Sequence, residues 1–213
     1  MATTVSRESG EEDSSTRTRL LDVALQAFSE LGYDGASTRV IAARAGVNQG
    51  LIPYYFATKE ALWREAVDRA FAELGAVFAD AFREDVEDLE RVELLIRRLV
   101  HFVARRPEFT RLMTEEGKRD GPRMQWIVDR HVRPMYEATR DLTQRIPWAT
   151  RLPDGLATPL LHYILIGAAT QMFHQAPEFQ RLSGLDPSDE AVIEAQADAL
   201  IAIFLGGGAG RVP

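Results

Sequence analysis

Between Thr38 and Lys59 the sequence carries amide, phenol and cationic side chains but no acidic residue. Amides and apolar groups can read the edges of bases in a DNA groove, whereas cations and helix N-termini bind phosphates. The positions that would face outward, together with the flanking cations, are Asn48, Gln49, Gly50, Tyr54, Tyr55, Arg39, Arg44 and Lys59. Their types indicate a surface for nucleic acid, although Arg44 is explained more simply as a solvent-exposed residue.

Two short helices are needed to position these groups, and the spacing of the residues around them predicts a helix-turn-helix. Ser37 can cap a helix over 38–45, and Gly46 can end that helix because glycine tolerates a positive φ. Ala42 is small enough for two helices to cross closely beside it. The side chains that would fill the space between the helices are Ile41, Ala45, Val47 and Ile52. The alternative is a helical hairpin with no role in DNA binding, and the acid-free outward face favours the DNA-binding interpretation.

Pro53 is an unexpected residue in the second of these helices, which Asn48 could cap. In a helix interior a proline costs about 3 kcal/mol, because it lacks the N–H and its ring clashes with the preceding turn. Either the regular helix begins later, near Gln49 or Gly50, or it opens slightly at Gln49. We predict the later start, because a short helix can shift its first residue at little cost.

Helices are also predicted on both sides of this motif. Apolar residues at helical spacing favour a first helix over 16–31, which Gly32 can end while Tyr33 packs back on Phe28. Thr58 can cap a longer fourth helix. The apolar positions of these two helices are Leu21, Ala24, Leu25, Phe28 and Leu31, and then Leu62, Ala66, Ala70, Leu74 and Phe78.

The remaining chain keeps helical spacing and shows no β alternation of useful length. We expect further helices that end at Pro107, cover 108–117, run from Pro122 to about 145 with a bend at Pro134, and cover 156–175 and 188–205. The sequence therefore predicts an all-α protein of about nine helices. Its expected parts are a disordered arm (1–14), a helix-turn-helix domain (15–63), a larger helical domain (64–205) and a flexible tail (206–213).

The net charge of −7 by itself argues against a nucleic-acid partner, because phosphate binding depends on Lys and Arg. The charge is unevenly distributed, however: residues 1–15 carry net −3, residues 16–63 net +1 and residues 64–213 net −5. Only the segment with the helix-turn-helix pattern, residues 16–63, has no net negative charge. The sequence has no signal-peptide pattern and no apolar run long enough for a membrane span, so we expect a cytoplasmic protein without membrane contact.

An enzyme is the main alternative from another functional class. The sequence has no cysteine, and its histidines, at 101, 131, 162 and 174, lack the spacing of metal ligands. No G-x-S-x-G motif is present, and the glycines at 206–210 follow a predicted helix rather than a strand. The sequence therefore predicts no catalytic site, no metal and no cofactor.

Residues from about Thr16 to Ala66 resemble the DNA-binding domain of the TetR family of transcriptional regulators. The matching motifs run from Phe28 to Tyr33, from Thr38 to Val47, from Gly50 to Phe56 and from Lys59 to Leu62. The resemblance and the chemistry of the residues imply DNA contacts at Thr38, Arg39, Asn48, Gln49, Gly50, Leu51, Pro53, Tyr54, Tyr55 and Lys59.

Roles for these residues follow from their chemistry. Gln49 is the best reader of a base edge, and Thr38, Tyr55 and Lys59 suit phosphates, while Tyr54 could do either. Pro53 departs from the family pattern, which usually has a tyrosine there whose hydroxyl meets a phosphate. Proline cannot make that bond, but its ring could pack against sugar or a thymine methyl group.

The same resemblance implies a helical domain that dimerises and binds a small molecule. For the dimer interface it favours the last two helices, at Leu160, Ile164, Ala168, Ile193, Ala197, Leu200, Ile201 and Phe204; the alternative is that these helices only close the core. For the ligand it favours Phe102, Met113, Glu116, Trp126, Arg130, Tyr136, His162, Tyr163, Gln171 and Met172, most of which are individually more typical of a core than of a ligand pocket.

The sequence thus predicts a homodimeric regulator, more simply a repressor, that binds a palindromic operator in double-stranded DNA and responds to a small-molecule effector. A helical adaptor that has lost DNA binding is a third possibility, for which Pro53 is the only argument.

Overall fold

The computed structural model describes residues 3–145 and 155–206, with side chains from Asp13 onward. Every regular element in these ranges is a helix, as predicted. The helices are α1 (Thr3–Gly35), α2 (Thr38–Ala45), α3 (Leu51–Phe56), α4 (Lys59–Arg83), α5 (Asp88–Arg105), α6 (Pro107–Gly117), α7 (Pro122–Ile127), α8 (Arg133–Arg145), α9 (Ala157–His174), α10 (Ala176–Ser183) and α11 (Glu190–Leu205). Of the predicted flexible tail, residues 207–213 lie outside the described part of the chain.

Two compact units divide the chain. The first contains the described residues up to Ala72 together with Arg111–Lys118, and the second contains Glu73–Thr110 and the described residues from Arg119 onward. Both α4 and α6 contribute residues to each unit. None of the described helices has the length and apolar character needed to cross a bilayer.

The core of the first unit forms around Trp63, which is fully buried on α4. Tyr33 lies edge-on to Trp63, with ring centroids 6.3 Å apart, and stacks on Phe28 at 5.8 Å. That stacking confirms the prediction that Tyr33 packs back on Phe28. Ion pairs join α1 to α4 on the outside, between Arg17 and Glu65 and between Arg69 and Asp22.

The first helix is longer than predicted. The backbone of α1 is helical from Thr3, where the sequence predicts a disordered arm, and residues 1 and 2 lie outside the described part. Extending an existing helix needs no new nucleus, because each added residue gains one hydrogen bond. Gly32 interrupts the helix with φ 68° and ψ 169°, a conformation that is open essentially only to glycine.

In the second unit, α5 packs against α9 and α11, while α8 and α10 pack against α9. Buried side chains of α5 include Ile96, Leu99 and Val103, whereas Leu89 is exposed. Charged residues border this packing. Arg97 pairs with Glu194 and with Asp198 on α11, the latter at 2.6 Å.

A π-helical turn, Val128–Val132, connects α7 to α8. The N–H of Arg133 donates to the carbonyl of Val128, five residues earlier. Pro134 follows immediately and has no N–H to donate. The wider turn accommodates this missing donor, so a π turn precedes Pro134, where the sequence predicts a bend. With α7, this turn and α8 counted as one helix, the described residues form ten helices, close to the predicted number.

The helix α10 was not predicted from the sequence. Its second residue is Pro177, which suits the first turn of a helix because an N–H there has no partner inside the helix. It begins directly after Gln175 ends α9, and Gly184 ends it with φ 73°. A proline that follows an apolar helix therefore begins a new helix here.

Candidate nucleic-acid interface

The helix-turn-helix forms as predicted at residues 37–56. Ser37 caps α2 by accepting a hydrogen bond from the N–H of Val40 at 3.2 Å. Gly46 ends α2 with φ 66° and ψ 33°, so a residue with a side chain would be strained there. The side chains that fill the space between α2 and α3 are buried, with Ile41, Ala42, Ala45 and Ile52 at most 6% exposed. This packing fixes the angle at which α3 is presented.

The start of α3 explains the proline. The helix begins at Leu51, later than Asn48 as predicted, which makes Pro53 its third residue. The first four N–H groups at a helix N-terminus have no partner inside the helix, so Pro53 gives up no hydrogen bond of α3. The carbonyl of Gln49, which a regular helix would pair with residue 53, accepts instead from the N–H of Ile52 at 3.1 Å.

The structure corrects the predicted cap at Asn48. The Oδ1 atom of Asn48 accepts a hydrogen bond from the N–H of Gly50 at 2.8 Å, which closes a local turn ahead of α3. The helix itself has Gly50 at its N-cap position and no side-chain cap.

A tight turn after α3 sets the start of α4. Ala57 has φ 59° and ψ −49°, and the N–H of Thr58 donates to the carbonyl of Phe56 at 2.6 Å. These features define a strained γ-turn centred on Ala57. Thr58 then caps α4, as predicted, by accepting from the N–H of Ala61 at 3.0 Å. The turn brings the N-terminus of α4 beside α3.

A shallow hollow of about 460 Å³ lies where these elements meet. Five of the predicted DNA-binding residues line it; the complete lining is Thr38, Gln49, Gly50, Ile52, Pro53, Ala57, Thr58 and Lys59. The first residues of α2 and α4 both face it, and helix N-termini carry partial positive charge. The hollow therefore combines amide, hydroxyl and cationic groups at a surface open to solvent.

Two contacts hold side chains of this surface in place. Gln49 donates through Nε2 to the hydroxyl oxygen of Thr38 at 3.3 Å. The ammonium group of Lys59 lies 4.5 Å from the ring centroid of Tyr33, which is within the range of a cation–π interaction. Both contacts limit the rotamers of groups that would otherwise be free to move, so part of the ordering is complete before any ligand arrives.

The two tyrosines of α3 differ in their surroundings. Tyr54 is 72% exposed, and its ring lies edge-on to that of Tyr55 at 4.9 Å. The hydroxyl group of Tyr55 donates a hydrogen bond to the carboxylate of Asp13 on α1. That bond is the main cause that raises the pKa of Tyr55 to about 12. Sequence reasoning missed Asp13, because no local pattern connects residues 42 positions apart.

The two arginines near this surface also differ. Arg44 pairs with Glu30 at 2.6 Å on the exposed side of the first unit, in agreement with its interpretation as a solvent-exposed residue. Arg39 is exposed in the first turn of α2. Leu51, at the start of α3, is half-buried.

The predicted ligand residues are divided between the two units. Met113 and Glu116 belong to the first unit, whereas the other eight belong to the second. Trp126 and Arg130 line an open hollow of about 490 Å³ on α7 and the π turn, with Pro122, Gln125 and Asp129. Phe102 is 7% exposed and packs on Phe109, with ring centroids 5.3 Å apart.

A separate aromatic group connects α8 and α9 in the second unit. Tyr136 lies edge-on to His162 at 5.4 Å, and burial lowers the pKa of His162 below its ordinary value of 6.5. Met172 is half-buried on the same helix as His162, and Gln171 is exposed. Tyr163 is 74% exposed on the surface of the single chain.

The structure also corrects part of the predicted dimer interface. Ile193, Ala197 and Leu200 are at most 4% exposed, because this face of α11 packs within its own chain, so they have almost no surface to give to a partner. Leu160 and Ile164 on α9 are 42% and 55% exposed, and Ala168, Ile201 and Phe204 are half-buried. Ile203, which was not in the predicted set, is 73% exposed on α11.

One cluster in the second unit contains side chains of the kind that bind metals. The side chains of His101, Glu190 and Glu194 lie close enough together to hold an ion. Nε2 of His101 is 2.9 Å from Glu194, and Arg105 pairs with Glu190 at 3.5 Å. Arg97 also pairs with Glu194. The two guanidinium groups already balance the carboxylate charges, so the cluster is accounted for as an ion-pair network between α5 and α11.

Comparisons with known proteins agree with this geometry. Residues 20–66 match the family model described as bacterial regulatory proteins, tetR family. The chain is 29% identical over 203 residues to the HTH-type transcriptional regulator RutR of Escherichia coli strain K12, covering 91% of each chain.

Solved structures show the same fold. A TetR-like transcriptional regulator from Rhodococcus sp. RHA1 superposes with a TM-score of 0.67 at 20% identity, covering 92% of this chain and 97% of that one. The regulator FadR from Bacillus subtilis, solved with stearoyl-CoA, gives a TM-score of 0.62 at 16% identity, covering 87% and 97%. With the helix-turn-helix at residues 37–56, these comparisons lead to the conclusion that residues 20–66 form a DNA-binding domain of the tetR-family type and that the chain is similar along most of its length to an HTH-type transcriptional regulator.

Proposed function

We propose that this regulator is a repressor that binds a palindromic operator as a homodimer and leaves the operator when a small molecule binds to its second unit. The observation that carries the proposal is the surface made by α2, α3 and the start of α4. There a base-reading amide, Gln49, lies hydrogen-bonded to Thr38 in a hollow that Lys59 also lines. No catalytic activity is needed for this function.

On this surface, Gln49 reads a base edge in the major groove, because its amide can donate and accept at the same time. Thr38, Lys59 and Tyr55 bind phosphates on either side of the groove. Pro53 is exposed and offers an apolar surface to sugar or a thymine methyl group. Arg39, Asn48, Gly50, Leu51 and Tyr54 complete the proposed contact set.

For the dimer, the exposed apolar side chains of the last long helices support a partner-binding face. Leu160, Tyr163 and Ile164 on α9 and Ile203 on α11 are between 42% and 74% exposed. Large apolar side chains at such exposure, three of them within five residues of α9, are typical of protein interfaces. A two-fold dimer would present two copies of α3 to half-sites one helical turn apart, about 34 Å, or a multiple of it.

For the effector, the second unit offers large and adaptable side chains, among them Phe102, Tyr136, His162 and Met172. In one form of the dimer, the two copies of α3 would not match the spacing of the half-sites. A ligand that binds this form more tightly would shift the population away from DNA. The structural neighbour FadR was solved with stearoyl-CoA. Acyl-CoA esters are therefore the first class of ligand to test on this chain.

DNase footprinting on the DNA upstream of the protein's own gene tests the proposal. We expect two symmetric protected half-sites with the wild-type chain, and protection that Q49A weakens. Adding acyl-CoA esters of increasing chain length should remove the protection with at least one of them. Footprints that are absent at low salt, or that appear at a single half-site, would contradict the dimeric repressor.

A further inference from the structure

The hydroxyl group of Tyr55 is already occupied before DNA binds. It donates its hydrogen bond to the carboxylate of Asp13, an exposed residue of α1. A phenol carries a single proton and can donate to one acceptor at a time. Phosphate oxygens only accept hydrogen bonds, so Tyr55 can bind a phosphate only after it releases Asp13.

The ring of Tyr55 has two aromatic neighbours, which limit the positions that its hydroxyl group can take. Tyr54 lies edge-on to it at 4.9 Å, and the buried ring of Phe56 lies 6.0 Å away. With these neighbours and the hydrogen bond to Asp13, the hydroxyl of Tyr55 lies beside the carboxylate of Asp13. An incoming phosphate would therefore meet the carboxylate of Asp13 there.

Charge makes this encounter unfavourable, because a carboxylate and a phosphate are both anions. Asp13 is also the last of four acidic residues in the first fifteen, with Glu8, Glu11 and Glu12 before it in the sequence. The segment from 16 to 63 has a net charge of +1, so few cations are present to offset an added negative charge. The hydrogen bond to Asp13 is also the main cause that raises the pKa of Tyr55 to about 12.

From this arrangement we propose that Asp13 competes with DNA phosphate for the hydroxyl of Tyr55 and thereby lowers the affinity of the chain for DNA. The amino-terminal end of α1 is then an autoinhibitory element of the reading surface. This inference rests on the proposed DNA-binding function, and in particular on Tyr55 as a phosphate contact.

Fluorescence anisotropy with a labelled duplex of mixed sequence, about 30 base pairs long, tests the competition at low ionic strength. A non-specific duplex suffices, because phosphate contacts do not depend on sequence. The variants are D13A, the isosteric D13N, Y55F and the double variant D13A/Y55F. The control is E178A, which makes the same change in charge at an exposed position of α10 in the second unit.

We expect D13A to bind the duplex about three- to tenfold more tightly than the wild type, and D13N to show a smaller gain in the same direction. Y55F should bind more weakly than the wild type. In the Y55F background, the gain from D13A should fall to about twofold or less, because only charge repulsion is then removed. E178A should match the wild type.

Three results would overturn the inference. If D13A binds as the wild type does, or more weakly, Asp13 does not compete with phosphate. If D13A gives the same gain with and without the Tyr55 hydroxyl, charge alone acts and no competition for the hydroxyl exists. If the wild-type chain binds no duplex even at low salt, the proposed DNA-binding function itself fails. This last outcome is distinguishable from the other two because in those the wild type binds.

Discussion

Gln49 and Thr38 are joined by a hydrogen bond of 3.3 Å between Nε2 and Oγ1, although they belong to different parts of the helix-turn-helix. Thr38 is the first residue of α2, and Gln49 precedes α3. The contact holds the amide that would read a base beside the hydroxyl that would bind a phosphate. The position of one group therefore depends on the other, and under the proposed function operator sequence and backbone position would be read together.

Replacing Gln49 by alanine should relax sequence recognition more than it lowers general DNA affinity. A good contact to a base edge contributes about 1–3 kcal/mol of discrimination, so Q49A should lose about five- to 150-fold in preference for the footprinted operator over a scrambled duplex. Competition binding with both duplexes measures this ratio. An unchanged ratio would mean that Gln49 does not read a base.

Lys59 should act differently from Gln49, because an ammonium group on a phosphate carries no sequence information. K59A should weaken binding to operator and scrambled duplex by similar factors and reduce the slope of log K against log salt by about 1. The control is K118A, which removes an exposed lysine directly after α6 that pairs with Glu115 at 2.6 Å. If K118A changes the slope as much as K59A, the effect reflects overall charge and not a phosphate contact at Lys59.

Pro53 should cost little stability, because it occupies the third position of α3, where an N–H would have no partner inside the helix. P53A should change the free energy of unfolding by no more than about 0.5 kcal/mol. Moving the proline one residue further, with Y54P, should cost about 3 kcal/mol, because that N–H belongs to the helix ladder. Urea unfolding compares the two. A gain of several kcal/mol from P53A would show that Pro53 lies in the interior of a longer helix.

His162 should make the stability of the second unit depend on pH. Burial lowers its pKa in the folded chain, so the unfolded chain binds a proton more readily. The contribution of His162 to stability is therefore complete above the unfolded pKa of about 6.5 and is lost as pH falls through the lower folded pKa. In thermal unfolding, the Tm of the wild type should fall as the pH is lowered from about 8 to about 5. The H162Q variant should show a smaller fall in Tm over the same range.

The control for this pH dependence is H174Q, at an exposed position at the end of the same helix. H174Q should keep the pH dependence of the wild type. A pH profile that H162Q leaves unchanged would show that another group causes it.

The helix-turn-helix was predictable because its decisive residues act locally. Ser37 caps the helix that follows it, and Gly46 supplies a positive φ at a turn of fixed length, so type and spacing were enough. The late start of α3 also followed from one residue, Pro53, whose chemistry excludes a helix interior. Asp13 could not be found in this way, because its contact with Tyr55 depends on how α1 packs and on how far it extends.

The last helices were harder to interpret from the sequence. In α11, apolar residues lie on nearly every side of the helix, so helical spacing alone could not separate the buried Ile193, Ala197 and Leu200 from the exposed Ile203. The predicted ligand-binding residues were hard to interpret from the sequence for a similar reason. Large side chains on neighbouring helices are typical of both cores and pockets, and only tertiary packing distinguishes buried Phe102 from exposed Tyr163.

The central claim is that two copies of this chain place two copies of α3 on one DNA site. Sedimentation equilibrium of the purified chain, alone and with the footprinted duplex, measures this directly. The account predicts a dimer without DNA and two chains on each palindromic duplex, with I203D shifting the protein to monomers and L182D, at another exposed apolar position, leaving it dimeric. A wild-type chain that sediments as a monomer and leaves the duplex unbound at low ionic strength would contradict the account.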